Sequence, residues 1–159
     1  MKEKILITGY NSSLAQYLST ILDKDRYSLC YLTTTKKDCA SNIFYWHPKK
    51  KYIDTHSLKN TKHIIHLAGF SISNHWTKKN IQLILDSRIK TSELLYKHCL
   101  QLNIKPSTFI SASAMGYYGL HQSGLKYEKD LPTNHWMSKL CVKWEKMADN
   151  FKSIGTRVS

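Results

Sequence analysis

Acidic residues are scarce in this chain. Eleven aspartates and glutamates stand against 24 lysines and arginines over 159 residues, a formal net charge of +13. That balance favours anionic partners, meaning nucleic acid, an acidic membrane face or a phosphate-bearing ligand, without choosing among them. Glycine and proline are also few, at six and three residues, while 42% of the chain is hydrophobic. This composition excludes a disordered tail, a collagen-like chain and a disulfide-stapled miniprotein, and the length suits a single domain over residues 1–159. The four cysteines form no CxxC pair. Cys30, Cys99 and Cys141 sit among apolar neighbours and read as buried thiols, which fits a reducing compartment. No apolar run approaches the ~18 residues of a membrane helix. The opening Met1-Lys2-Glu3-Lys4 is charged, and Ile5-Leu6-Ile7 is too short for a signal core. The expectation is a cytoplasmic protein with no membrane partner.

What is present is an alternation of strands and helices. Lys4 to Gly9 is a short apolar run ending in glycine, as a buried parallel strand ends. Leu14, Leu18, Ile21 and Leu22 then recur at helical spacing and are expected to line one helix face. Tyr27–Thr33 and Asn42–Trp46 read as strands, Pro48 and Lys49-Lys50-Lys51 as a loop, and His63–Ala68 as a fourth strand. A long helical pattern follows, with Ile84, Leu85, Ile89, Leu95, Cys99 and Leu102 on one side and Thr77 as its cap. Ser107–Ser111 is a fifth strand. Met137, Leu140, Cys141, Trp144, Ala148 and Phe151 mark a last helix, ended by Gly155, and Thr156-Arg157-Val158 begins a sixth strand. Such alternation predicts an α/β fold, a Rossmann-like doubly wound parallel sheet with helices on both faces.

Three segments carry chemistry. The turn Thr8-Gly9-Tyr10-Asn11-Ser12-Ser13-Leu14-Ala15 lies where a dinucleotide fold sets its glycines and rests the diphosphate on a helix N-terminus. Only Gly9 survives of the usual pattern; Ser12 and Ala15 hold the other places. The Ser12 Cβ crowds a phosphate there, although its hydroxyl offers a hydrogen bond. An ordinary strand–turn–helix fits the same residues. After the second strand the chain reads Thr33-Thr34-Thr35-Lys36-Lys37, with no acid before Asp38. An acid at this point suits the ribose hydroxyl of NAD, whereas Lys36 and Lys37 suit a 2′-phosphate, and so NADP in preference to NAD. A solvated basic loop is the alternative. Finally, Phe109 to Gly119 puts Ser111 and Ser113 at the end of the fifth strand, where open α/β sheets bind ligands. The same serines also suit satisfying loop backbone.

Together these stretches resemble the atypical and extended short-chain dehydrogenase/reductases, and within them the "epimerase family protein" group related to nucleoside-diphosphate-sugar epimerases. The residues that carry the resemblance are Ile5 to Gly9, Trp46 and Pro48, His66-Leu67-Ala68-Gly69, and Trp76-Thr77. Ser87-Arg88, Thr91, Ser111 to Gly119 and Trp144-Glu145 complete the ordered set. The resemblance implies cofactor phosphates near Gly9, Asn11, Ser12, Ser13 and Leu14, and Leu67, Ala68 and Gly69 beside the cofactor's ribose. It puts Ser113 in the place of the superfamily's catalytic serine, with Ser111 beside it and Tyr117 bordering the pocket. Arg88 is expected to be structural.

Two departures matter. Members that transfer hydride carry Tyr-x-x-x-Lys on the helix after strand five, and here Met137 and Cys141 occupy those places. The resembled group also tends to lack that pair. Members also continue through further strands into a substrate portion, so the chain reads as truncated before it.

The first reading is therefore an NADP-dependent oxidoreductase or epimerase acting on a carbonyl or sugar-like small molecule. The alternative is a non-catalytic nucleotide-binding protein of the same fold. Nucleic-acid binding ranks third, because the lysines are dispersed apart from Lys49-Lys50-Lys51. Strands missing beyond the sixth would leave an unpaired sheet edge, which invites association into an oligomer. No metal site is expected: His63 and His66 lie three apart on a strand and point to opposite faces, and His47, His56, His75, His98, His121 and His135 are scattered.

Overall fold

The computed structural model describes residues 2–120 and 123–159; His121 lies outside the described residues. Seven strands make one sheet: β1 (Glu3–Thr8), β2 (Tyr27–Thr33), β3 (Ile43–His47), β4 (Tyr52–Ile53), β5 (Thr61–His66), β6 (Thr108–Ser111) and β7 (Arg157–Val158), in the spatial order β4-β3-β2-β1-β5-β6-β7. All neighbours pair in parallel except β3 and β4, which form an antiparallel hairpin. The expected parallel sheet is therefore mixed at one edge. Tyr52–Ile53 escaped the sequence reading because two residues beside a lysine run carry no measurable periodicity. Pro48 opens a short 3₁₀ turn, Lys51 takes a left-handed conformation at φ 55°, and the chain reverses there.

Among the described residues three α-helices complete the fold: α1 (Ser13–Ile21), α2 (Lys78–Gln101) and α3 (Trp136–Asp149). Alternation along the strands sorts the core into two layers. Leu6, Leu32, Ile64 and Phe109 point to the face covered by α2 and α3, and Phe109 stacks on Phe151 with ring centroids 3.9 Å apart. Ile5, Ile7, Tyr31 and Ile65 point to the other face, which Ala15 of α1 covers. Burying each of these large side chains contributes roughly 1.5–3 kcal/mol. Trp46 and Trp144 are core residues, whereas Trp76 is exposed and meets Trp136 edge-to-face at 5.4 Å.

Two expected faces need correcting. In α1 the buried side is Ala15 with Leu18 and Leu22 packed beside it, while Leu14 and Ile21 are exposed together with Tyr17. Residues 14, 18 and 21 also satisfy helical spacing, so the apolar pattern was too broad to choose a side. Leu102 is exposed because it caps α2 rather than continuing its buried face. Thr77 does cap α2, its side chain accepting the Asn80 amide. Cys30, Cys99 and Cys141 are buried and Cys39 is exposed, all as free thiols. Burial pushes the Cys30 thiol up to about 11 and Cys99 up to about 12. Among the described residues no helix is long and apolar enough to cross a membrane.

Candidate functional site

The predicted residues fall on the rim formed by the C-terminal ends of β1, β2, β5 and β6 and the loops that leave them. The β1 turn comes first. Gly9 has φ +78°, a conformation disfavoured for residues with a side chain, and a Cβ there would lie 3.2 Å from the Ala68 nitrogen. The turn closes with the Ser12 amide donating to the Gly9 carbonyl at 2.8 Å. Ser12 is the N-cap of α1, its Oγ accepting the Ala15 amide at 3.2 Å. The sequence reading of Ser12 as a phosphate neighbour or part of an ordinary turn does not name this cap, which the hydroxyl makes within its own turn. The amides of Ser13 and Leu14 find no protein acceptor among the described residues, as expected for a first helical turn.

At the end of β2 the structure gathers Asn11, Thr33 and Asp38. Asp38 Oδ2 accepts from the Asn11 side-chain Nδ2 at 3.1 Å and from Thr33 Oγ1 at 3.5 Å. Thr33 Oγ1 also accepts the Thr35 amide. Asp38, the first acid after the strand, is folded back to it by a single 3₁₀ turn, Lys36–Asp38. Lys36 Nζ sits 5.3 Å above the Tyr45 ring, so one of the two expected phosphate ligands is engaged by β3.

The segment after β5 is held at every residue. Thr8 Oγ1 accepts the amides of Leu67 and Ala68, both at 3.0 Å. Gly69 packs on Arg88, where a Cβ would come 2.9 Å from the guanidinium carbon. The Phe70 amide donates to Ser87 Oγ at 2.7 Å, and Arg88 donates back to the Phe70 carbonyl at 3.0 Å. Arg88 also donates to the Ile84 carbonyl and stands 5.2 Å from the Trp144 ring centroid. It is structural, as expected, and burial lowers its pKa. Beneath this segment lies His66, fully enclosed between Thr8 Oγ1 at 2.8 Å and Thr91 Oγ1 at 3.1 Å.

At the end of β6 the serines separate. Ser111 Oγ donates to the neighbouring Ala112 carbonyl at 3.2 Å, the backbone role considered for it. Ser113 Oγ donates to Glu145 Oε1 at 2.6 Å. Glu145 was noticed only as part of a Trp-Glu pair; no sequence spacing links residues 32 apart. Tyr117 is half-buried in a 3₁₀ turn, its ring edge-to-face with Tyr118 at 5.2 Å and its carbonyl accepting from Ser138. On α3, Met137 presses against Gly116 and Cys141 donates to the Ala114 carbonyl at 3.7 Å. Burial first, then the Glu145 carboxylate, raises the Cys141 pKa. The two places of the missing pair thus hold buried, uncharged side chains, and the ionisable group bonded to Ser113 is Glu145.

No family model matches the chain. An epimerase family protein of Staphylococcus saprophyticus is 30% identical to it over 99% of this chain and 53% of that protein. The chain spans about half the length of the curated relatives it matches. Among solved structures, UDP-glucuronic acid 4-epimerase from Bacillus cereus, in complex with UDP-glucuronic acid and NAD, superposes with a TM-score of 0.76 at 19% identity, over 98% of this chain and 54% of that one. A human epimerase family protein with NADPH gives 0.73 at 18% identity, over 91% and 48%. The Rossmann-like fold and the resemblance read from the residues are both borne out.

Proposed function

We propose, for a chain whose homologues are epimerase family proteins, that residues 1–159 form one nucleotide-binding domain that takes a nicotinamide dinucleotide on the β1–β2–β5 rim. The observation that carries this reading is the Gly9 turn. Gly9 turns at φ +78°, and a Cβ there would lie only 3.2 Å from the Ala68 backbone, a place that favours glycine. The turn delivers, at the N-terminus of α1, Ser13 and Leu14 amides that have no protein acceptor among the described residues. Those amides, with Gly9, Asn11 and Ser12, would hold the diphosphate. Leu67, Ala68 and Gly69 would flank the ribose of the nicotinamide. Thr33, Lys36 and Lys37 would meet the far ribose and its 2′-phosphate, so NADP is preferred. Asp38 beside Thr33 opposes that preference and makes the choice a measurement.

The cofactor, when bound, supplies hydride exchange with a substrate carbon. Within the chain, Ser113 is proposed to touch the substrate oxygen, with Ser111 and Tyr117 bordering the pocket. With its hydrogen on Glu145, Ser113 presents lone pairs and accepts from a substrate hydroxyl. Turned away from Glu145, the same hydroxyl would donate its hydrogen to a substrate carbonyl instead. The substrate would be a carbonyl or sugar-like compound such as a sugar nucleotide, acted on by a protein of family length.

The test is a thermal-shift titration with NADPH and NADH in parallel. Ligand at 100 times its Kd stabilises a fold by about 2.7 kcal/mol. A larger shift with NADPH supports the role of Lys36 and Lys37; a larger shift with NADH transfers it to Asp38; no shift with either rejects the pocket. A second reading, binding without catalysis, is favoured by the buried, uncharged Met137 and Cys141. It predicts that a family-length protein binds cofactor yet leaves UDP-sugars unchanged.

A further inference from the structure

Thr8 Oγ1 has three hydrogen-bond neighbours: the Leu67 amide, the Ala68 amide and His66 Nδ1. The two amides can only donate, and together they fill both lone pairs of the hydroxyl. The Thr8 hydrogen therefore has one acceptor left, His66 Nδ1. That ring nitrogen is unprotonated, so the proton of neutral His66 sits on Nε2 and is donated to Thr91 Oγ1. Thr91 passes the direction on by donating to the Ser87 carbonyl at 2.7 Å. The chain runs one way, from the loop amides through Thr8, His66 and Thr91 into the backbone of α2.

We propose that His66 is a positioning residue: as the neutral Nε2–H tautomer it orders this relay and so holds Leu67 and Ala68 against Gly9, making nucleotide binding at that rim acid-sensitive. The proposal rests on the nucleotide reading above for its binding consequence, and on geometry alone for the relay. Protonation at Nδ1 would turn a third donor toward Thr8 Oγ1. The threonine hydrogen would then have no acceptor, and one loop amide would have to leave.

The surroundings oppose that protonation. Thr8 faces the ring from β1 and Phe109 stacks on it from β6 at 6.0 Å, and neither is charged. From α2 the facing charged group is Arg88, which repels a second cation, although its carbonyl would accept from one. Cys141 of α3 interacts with that same guanidinium, and its raised pKa keeps it neutral. Burial is the largest influence, and the His66 pKa is lowered to about 4.

The experiment combines ¹⁵N NMR of the imidazoles, amide hydrogen exchange, and NADPH and NADH titrations between pH 7 and pH 4. It uses the unmodified chain, Thr8→Val, which keeps the volume and removes the hydroxyl, and Thr8→Ser, which restores it. The His66 ring in the unmodified chain should show Nε2–H at neutral pH and stay neutral well below the ordinary histidine range. Thr8→Val should speed exchange of the Leu67 and Ala68 amides at least tenfold, weaken nucleotide binding at least tenfold at pH 7, and leave the Leu32 and Ile64 amides protected. Thr8→Ser should behave as the unmodified chain. Affinity should fall as His66 titrates, a profile that packing alone would not produce.

An Nδ1–H tautomer overturns the proposal, as does equal loop protection in the Val and Ser variants, or nucleotide affinity indifferent to the His66 titration. If Thr8→Val does not fold, the tautomer in the unmodified chain decides. Absence of binding to both nucleotides, with tautomer and exchange as expected, rejects the nucleotide reading and supports the relay.

Discussion

Ser113 donates its hydroxyl hydrogen to Glu145 across a 2.6 Å hydrogen bond that joins the loop after β6 to the third turn of α3. The same carboxylate raises the pKa of Cys141, one helical turn earlier. Replacing Glu145 with Gln removes a negative charge beside the thiol, so the Cys141 pKa should fall. Alkylation of Cys141 followed against pH, in a Cys39→Ser background, should shift to lower pH. An unchanged profile would show that burial alone governs the thiol.

Ser12 offers a separation of fold from binding. Ser12→Ala removes the N-cap of α1 and should cost about 1 kcal/mol, read from urea denaturation. Ser12→Asp keeps an acceptor for the Ala15 amide and adds a favourable charge at the helix N-terminus, so stability should hold. The same carboxylate would oppose a diphosphate, and NADPH binding should weaken at least tenfold. Loss of stability in the Asp variant, or unchanged NADPH affinity, contradicts this account.

Gly9→Ala should destabilise the chain by roughly 1–3 kcal/mol, because alanine must adopt a positive φ while its Cβ presses on the Ala68 backbone 3.2 Å away. Equilibrium denaturation measures the loss. A neutral substitution would mean that the turn relaxes freely.

Stability should also decline in acid through His66. Its folded-state pKa is about 4, against an ordinary 6.5. As pH falls through 6.5 the unfolded chain takes up a proton that the folded chain refuses, so unfolding is favoured progressively until pH reaches about 4. The full effect is about 3 kcal/mol. The difference in melting temperature between the unmodified chain and His66→Gln, followed from pH 7 to pH 4, isolates this histidine from the other seven. A difference independent of pH would count against the assignment.

Asp38→Asn removes the carboxylate held by Asn11 and Thr33. If NADP is the ligand, a phosphate nearby should be bound more tightly, and NADPH affinity should rise severalfold while NADH affinity does not. Competitive titration of the two nucleotides reads the ratio, and a fall in NADPH affinity would reverse the preference.

Much of the scaffold was legible because its signals are local. Tyr27–Thr33 was read with its observed bounds, and the Thr77 cap lies where the helical pattern begins. Apolar patterning was less informative on α1, where residues 14, 17, 18, 21 and 22 crowd two faces and only packing on the sheet chooses between them. The site was harder still. Gly9 stands out as the lone glycine of its turn, but Thr8 and His66 are 58 residues apart and Ser113 and Glu145 are 32 apart. Each pair is joined by strand register or helix docking, neither of which leaves a spacing in the chain.

The strand order also bears on how the protein is made. β1 comes first in the chain yet lies at the centre of the sheet between β2 and β5, with Leu6 and Ile7 fully enclosed. During synthesis β2 arrives soon after it, whereas β5 follows only after the hairpin of β3 and β4. One side of β1 must therefore wait with its backbone unpaired. Long-range parallel pairing of this kind is slow and prone to mispairing. Until Thr61–His66 emerges, that edge of β1 is open to the wrong partner.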